Sequence, residues 1–277
     1  MEKPIITQLK RALATTQILT GEALKERYTH IWRMDEPLQA LAVILPKTTA
    51  EVATALKICH AHHQPVVVHG GLTNLVGSTE MTDGQEIVIS MEKMNGIEEV
   101  DVQSRTMTVQ AGVILENVQN AAKEKDLLFP LNYGAKGSAQ IGGAISTNAG
   151  GLRVFRFGMT RNLVLGIEAV LADGTVISSL KKVIKDNSGY DIKQLFIGSE
   201  GTLGVVTKAV LKLVEAPKSR NSAWIGLTDY HKVVQLLKFM DSGLAGTLSG
   251  FELLWKASFV GMTTPPSTIK TLSLIHI

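Results

Sequence analysis

Residues 134–151, reading Gly-Ala-Lys-Gly-Ser-Ala-Gln-Ile-Gly-Gly-Ala-Ile-Ser-Thr-Asn-Ala-Gly-Gly, limit this chain more than any other stretch. Six of these eighteen residues are glycine, the only charge is Lys136, and the other polar groups are small hydroxyls and amides. Each glycine weakens both helix and strand, so the pattern predicts neither. It suits a backbone laid against a ligand, with N–H groups turned toward an anion. Hydroxyls at Ser138, Ser146 or Thr147 and the amide of Asn148 are placed to fix orientation. Ile141, Ala144, Ile145 and Ala149 run through the segment, which a purely solvated linker would not carry.

The rest of the chain predicts an α+β fold of strand pairs with interspersed helices rather than strict βαβ alternation. Residues 5–30 repeat apolar side chains at helical spacing, and 40–45 form a short buried strand ending at Pro46. Thr48 followed by Glu51 is a capping box opening a helix. Val52, Ala55, Leu56 and Cys59 lie on one face of it, and it stops before Pro65. A strand at 66–68 runs into a second glycine-rich loop, 69–78. Ile87, Ile89 and Met91 alternate, as do Met107, Val109 and Ala111, predicting two half-buried strands. Leu115, Val118 and Ala122 return to helical spacing. Asp173-Gly174 marks a hairpin between 163–171 and 175–180, and 205–214 is a further strand.

Composition turns polar at 216–221, the expected domain boundary. Beyond it a strand at 223–227 and a helix at 231–240 begin a second unit, with Trp224, Phe251 and Trp255 as its core. Four divisions follow: a helical segment 1–34, a ligand-binding domain 35–215, the beginning of a further domain 216–271, and a tail 272–277. That tail reads as a sequencing artefact, with authentic protein ending near Thr271. Resequencing the junction tests this, and a stop codon directly after Ile277 would defeat it.

Charge excludes some functions. The formal net charge is +3 and no five-residue basic run occurs, so nucleic acid is not an expected partner. The single cysteine, Cys59, rules out an internal disulfide and fits a reducing cytosol. No eighteen-residue apolar run appears, so no transmembrane segment is expected. The expected location is cytoplasmic.

Neither glycine-rich loop reads G-x-G-x-x-G before a long helix, and the P-loop pattern is absent. What remains is two backbone cradles, suited to a long ligand with a central pyrophosphate. A third stretch, 197–206, carries Gly-Ser-Glu-Gly before a strand, a composition that also suits a plain turn. Cys59, His62 and His63 share a helical face at metal-ligand spacing, although imidazoles there also suit a helix C-terminus. Arg153 and Arg156 fit either an anion or an ion pair.

Loops 69–78 and 134–151, Leu152-Arg153 with Arg156, and residues 185–204 together resemble the FAD-linked D-2-hydroxy acid dehydrogenases. That group includes D-2-hydroxyglutarate and D-lactate dehydrogenases and the glycolate oxidase FAD subunit. The resemblance covers roughly residues 20–260 and implies a PCMH-type, vanillyl-alcohol oxidase-like FAD-binding domain. This domain has two α+β subdomains and is followed by the start of an α+β substrate (cap) domain. By resemblance, Gly70, Gly71, Leu72, Thr73, Asn74, Leu75, Gly77 and Ser78 wrap the pyrophosphate. Pro130, Gly134, Ala135, Ser138, Ile141, Gly142 and Gly143 line the dinucleotide and flavin. Thr147, Asn148 and Ala149 approach the isoalloxazine, and Glu200, Gly201, Gly204 and Val206 close the far side through backbone contacts.

Relatives of this kind usually have glycine where this chain has Leu72, Asn74 and Ser78. Asn74 is the milder change, since asparagine tolerates the left-handed conformation. Leu72 and Thr73 occupy the region where some such proteins attach flavin to histidine, so FAD is expected to be non-covalent. His69 reads as a strand-end packing residue.

The resemblance further implies oxidation of a small 2-hydroxy acid by hydride transfer to flavin. Electrons would pass to an acceptor protein or quinone, and a homodimer is among the compatible assemblies. Catalytic residues, and a divalent metal such as zinc, belong by resemblance to the later substrate domain, so none is assigned here. The alternatives are an enolpyruvyl-type reductase fed by NADPH and a non-catalytic flavin-binding subunit.

Overall fold

The computed structural model describes residues 3–13, 18–32 and 34–264. The expected tail at 272–277 lies outside them. In chain order the elements begin with α1 (Pro4–Ala12), β1 (Ile18–Leu19), β2 (Ala42–Ile44), α2 (Thr49–Ala61), β3 (Val66–His69) and β4 (Ile87–Ser90). There follow β5 (Ile97–Asp101), β6 (Thr106–Gln110), α3 (Leu115–Lys123), β7 (Leu127–Leu128), α4 (Ile141–Ser146) and α5 (Val154–Phe157). The remainder are β8 (Val164–Val170), β9 (Val176–Ser179), α6 (Lys193–Phe196), β10 (Val205–Lys212), β11 (Val214–Glu215), α7 (Tyr230–Leu244) and α8 (Lys256–Thr263).

Two sheets carry the architecture. The first runs β1-β2-β4-β3, with β2, β4 and β3 parallel and β1 antiparallel to β2. The second, β5-β6-β10-β8-β9, is antiparallel throughout. β7 and β11 form a separate small pair. The α+β expectation holds, with a parallel crossover through α2 inside the first sheet.

α2 joins the two sheets. Thr48 caps it by accepting from the Glu51 N–H at 3.2 Å, while Glu51 reaches back to the Lys47 N–H at 2.6 Å. Val52, Ala55, Leu56 and Cys59 are buried as the spacing predicts, and α2 packs on β8 and β10. At its first turn, Glu168 of β8 accepts from Thr49 Oγ1 at 2.5 Å and from Thr207 Oγ1 at 3.0 Å. The β8–β9 turn touches the same helix. A Cβ on Gly174, whose φ is +87°, would stand 2.7 Å from the Ala53 carbonyl oxygen. One continuous apolar core therefore spans both sheets.

Several expectations are corrected. Among the described residues of the helix expected over 5–30, the α-helical part is α1, followed only by a short 3-10 turn at Gly21–Leu24, because Ile18 and Leu19 instead pair with Ile44 and Val43. The two strands expected to be half-buried are covered on both faces. β4 is central in its sheet, with Ile87 and Ile89 in the main core and Val88 packed with Leu24, Leu38, Val43 and Leu45 behind it. β6 is likewise interior, between β5 and β10, with Thr106 and Thr108 buried beside Met107 and Val109.

Residues 223–227 form no strand: they are exposed, and no described strand lies beside them. The helix expected at 231–240 is present as α7, capped by Asp229 Oδ1 accepting from the Lys232 N–H at 3.0 Å. Trp224 and Trp255 are exposed rather than core residues, and Phe251 is half-buried. Among the described residues Trp255 stacks on Tyr230, at 6.0 Å between ring centres.

Candidate functional site: three loops on one short helix

The helix α4 lies inside the stretch whose glycines predicted no helix, so that expectation is corrected. Gly142 is required there by packing. A Cβ on it would fall 2.8 Å from the Ala111 Cβ, so its absence lets α4 approach the end of β6. Backbone bonds fix the approach: Ile141 N–H donates to Val113 O at 2.9 Å and Gly142 N–H to Ala111 O at 2.7 Å.

Loop 70–78 leaves the end of β3 and lands on this helix. Gly70 faces Gly143, whose Cα would be 3.7 Å from a Cβ on Gly70. Gly71 is in closer contact still. A Cβ there would lie 2.1 Å from the Ser138 carbonyl oxygen and 2.8 Å from the Ala139 Cα. The third loop arrives at the other end of α4: Gly198 N–H donates to Ile145 O at 3.1 Å and Glu200 N–H to Ser146 O at 2.8 Å. Stretches separated by more than fifty residues thus converge on six residues of helix.

Each loop holds one non-glycine residue in the left-handed region: Leu72 (φ 54°), Asn148 (φ 47°) and Glu200 (φ 51°). Such a conformation costs about 1–2 kcal/mol for an L-residue, and strain of this kind gathers at ligand-holding sites. Leu72, not Asn74, carries the left-handed turn of the first loop. Asn74 shapes that loop through its side chain. Its Oδ1 accepts from Val76 N–H at 3.3 Å and Gly77 N–H at 3.0 Å, and its Nδ2 donates to Thr79 Oγ1 at 2.9 Å.

The expected site residues divide into a surface and its backing. Gly70, Gly71, Leu72, Thr73, Asn74, Gly77, Ala135, Gly143, Asn148, Ala149, Gly201 and Gly204 are half-buried. Leu75, Ser78, Gly134, Ser138, Thr147 and Glu200 are exposed. Pro130, Ile141, Gly142 and Val206 are buried, so they support the wall from behind. Thr147 Oγ1 donates to Gly143 O at 2.9 Å, which ties its hydroxyl to the helix. Asn148 Oδ1 accepts from Arg161 N–H at 3.0 Å, and its Nδ2 makes no hydrogen bond among the described residues. Lys136, the one charge of the segment, is paired with Glu116 at 2.6 Å.

Beside the third loop a cleft of about 320 Å³ opens between α2, β3 and residues 201–205. Leu56, Val66, Val68 and Leu203 supply apolar walls, with His60, His63 and Thr202 among the polar lining. Sequence reasoning missed this cleft, because its walls come from a helix, a strand and a loop whose residues read as ordinary core. A larger hollow of about 580 Å³ lies by α1 and Ile58, and none of the three loops lines it.

His69, at the end of β3, is buried and donates from Nε2 to the Thr79 carbonyl at 3.0 Å. Burial pushes its pKa down to about 4 against the opposing pull of that carbonyl, and Arg27 adds to the depression. It is a neutral packing residue, as its position at the strand end predicts. The Cys59 thiol is buried and pushed up to about 12 by burial, whereas His62 and His63 are exposed beyond the end of α2. These three do not converge. Among the described residues no cluster of three His, Cys, Asp or Glu could hold a metal, and no helix is long and apolar enough to cross a membrane.

The residues fit a flavin dinucleotide in the respects the structure exposes: close-packed glycine backbone, strained loop turns and an adjacent apolar cleft. Residues 40–179 match the family described as "FAD binding domain". D-2-hydroxyglutarate dehydrogenase, mitochondrial, of Danio rerio is 41% identical over 245 residues, covering 88% of this chain and 46% of that protein. The putative D-lactate dehydrogenase, mitochondrial, of Schizosaccharomyces pombe is 47% identical, covering 76% of this chain and 40% of that one. The chain therefore spans about half the length, or less, of these relatives.

Among solved structures, alkyldihydroxyacetonephosphate synthase superposes with a TM-score of 0.70 at 20% identity, over 79% of this chain and 42% of that one. Wild-type Phl p 4.0202, a glucose dehydrogenase, gives 0.67 at 18%, over 78% and 44%. At these identities the likeness shows the fold alone. The cytoplasmic location expected from sequence is overturned, because the relatives from Danio rerio, Schizosaccharomyces pombe, Bos taurus and Oryza sativa are mitochondrial proteins. With half its length matched and its glycine loops gathered on one helix, the chain belongs to the FAD binding domain family.

Proposed function

We propose that this chain is the FAD-holding part of a dehydrogenase that oxidises a D-2-hydroxy acid to its 2-oxo acid. The meeting of loops 70–78 and 197–204 on α4 carries the reading. In it, backbone amides of loop 70–78 hold the pyrophosphate without a charged side chain to desolvate. The cleft between α2 and residues 201–205 takes the adenine end, with apolar walls against its faces. Asn148 and the exposed side of Gly143 stand where the other end of the cofactor lies. Bound FAD supplies a two-electron acceptor.

The substrate class rests on relatives that act on D-2-hydroxyglutarate and, by name, D-lactate. An acceptor protein or quinone would take the electrons, and residues 35–215 and 216–271 would be the flavin domain and the start of the substrate domain. The test begins with the chain itself. FAD is added, the mixture is passed through gel filtration, and the visible flavin bands of the protein peak are read. A folded sample that emerges colourless would end the reading. A version spanning the length of the relatives is then given D-2-hydroxyglutarate, D-lactate and glycolate without oxygen. Bleaching by one of them supports the dehydrogenase, whereas bleaching by NADPH alone supports a reductase.

A further inference from the structure

A strap from the N-terminal part of the chain crosses loop 70–78, and neither the family match nor the expected site residues include it. Its base is fixed where Arg27 grips Glu92 with two bonds, Nη1 to Oε2 at 2.6 Å and Nη2 to Oε1 at 3.0 Å. From there three consecutive residues bond to the loop and to Thr79 directly after it. Thr29 O accepts from Thr79 Oγ1 at 2.9 Å, His30 Nε2 meets Asn74 O, and Ile31 N–H donates to Leu72 O at 3.1 Å. The His30 tautomer follows from its other nitrogen. Nδ1 accepts from the Trp32 N–H at 3.0 Å, so the proton sits on Nε2 and is donated to the Asn74 carbonyl.

These bonds set the direction of the loop amides. In a planar trans peptide the N–H points opposite to the C=O of the preceding residue. Holding the Leu72 and Asn74 carbonyls on the strap side turns the Thr73 and Leu75 N–H groups to the other side. Neither of those N–H groups meets an acceptor among the described residues. Val76 and Gly77, which follow carbonyls (Leu75 and Val76) that take no strap bond among the described residues, give their own N–H groups to Asn74 Oδ1. The two N–H groups that follow strap-held carbonyls, those of Thr73 and Leu75, therefore point outward, whereas the next two bond within the loop.

We infer that His30 and Ile31 are positioning residues that aim the Thr73 and Leu75 amides at a diphosphate. The inference rests on the proposed FAD reading and extends it to residues outside the glycine-rich motifs. It is distinct from a general stiffening role, because it acts on phosphate recognition and not on the flavin ring.

The test compares wild type, His30→Ala, His30→Gln and Ile31→Pro by titration with FAD, ADP and riboflavin, with thermal melts of each ligand-free protein. His30→Ala removes one carbonyl anchor and is expected to weaken FAD and ADP about 3- to 10-fold, the range of a single hydrogen bond. Riboflavin, which has no phosphate, is expected to bind as to wild type. His30→Gln restores a donor and recovers most of the loss, and Ile31→Pro, lacking the other donor, repeats the alanine result.

Wild type that binds no FAD overturns the underlying reading. Wild type that binds, with His30→Ala binding FAD and ADP equally well, overturns the strap alone. Equal loss of all three ligands, or failure of His30→Gln to rescue, also overturns it. If His30→Ala does not fold, the comparison of His30→Gln with Ile31→Pro decides on the same criteria.

Discussion

Gly71 and Ser138 meet backbone to backbone: a Cβ on Gly71 would stand 2.1 Å from the Ser138 carbonyl oxygen. Neither side is the end of a flexible side chain, so the contact cannot be relieved by a rotamer change. Gly71→Ala is expected to destabilise the chain by about 2 kcal/mol or more and to abolish flavin retention. Urea melts with and without FAD measure both. A variant as stable as wild type would show that the first two loops do not touch as described.

Gly143 makes the opposite case. It lies within α4 with nothing inside 4 Å of an added Cβ and without a positive φ. Gly143→Ala should raise the stability of the ligand-free protein by about 0.5–1 kcal/mol, the usual gain of alanine over glycine in a helix. Its methyl group would stand on the surface assigned to the cofactor, so FAD affinity should fall. A matched pair of thermal melts and FAD titrations separates the two effects.

Glu200 is exposed and left-handed, and its main-chain N–H, not its carboxylate, anchors the third loop. Glu200→Gly relieves about 1–2 kcal/mol of local strain while loosening the unfolded chain by roughly 0.5–1 kcal/mol. The expected net is a gain of up to about 1.5 kcal/mol, read as a rise in thermal midpoint. A clear fall would mean that the side chain holds something its exposure does not reveal.

His69 makes stability depend on pH. The unfolded imidazole takes up a proton as pH falls through about 6.5, but the folded one only near 4. The contribution is therefore complete above 6.5 and lost as pH falls through that interval. Between pH 7.5 and 5 this costs about 2 kcal/mol. His69→Gln should flatten that slope in urea melts, even if it lowers stability at neutral pH. An unchanged slope would assign the acid sensitivity elsewhere.

Cys59 should be inert while the chain is folded. Its thiol is buried and pushed up to about 12, so thiolate is scarce at pH 8. A thiol-reactive dye is expected to label it only after denaturant is added, and rapid labelling of the native protein would contradict the packing of α2.

Local chemistry made much of this fold legible. The Thr48–Glu51 cap, the Asp173-Gly174 turn and the apolar spacing of α2 and α3 are signals that neighbouring residues settle among themselves. The candidate loops were legible too, since glycine clusters mark backbone that must come close to something. What they approach is set at long range. The helix at residues 141–146 sits where it does because Gly142 fits against Ala111, a relationship that a propensity scale cannot contain. Alternation at Ile87, Ile89 and Met91 likewise could not reveal that Val88 would be covered by Leu24 and Leu38. Trp224 and Trp255 misled for the converse reason: large aromatic side chains suggest a core, but their burial depends on a neighbour.

The attachment of Glu200 to Ser146 has a consequence for synthesis. A ribosome must emit the chain well past residue 200 before the third loop can be laid against the first two. β10, which follows directly, must also slot between β6 and β8, strands made long before it. With the proposed site, capture of the vitamin-derived prosthetic group would be a late event in maturation, and colour in a nascent product would signal that its long-range pairing is finished.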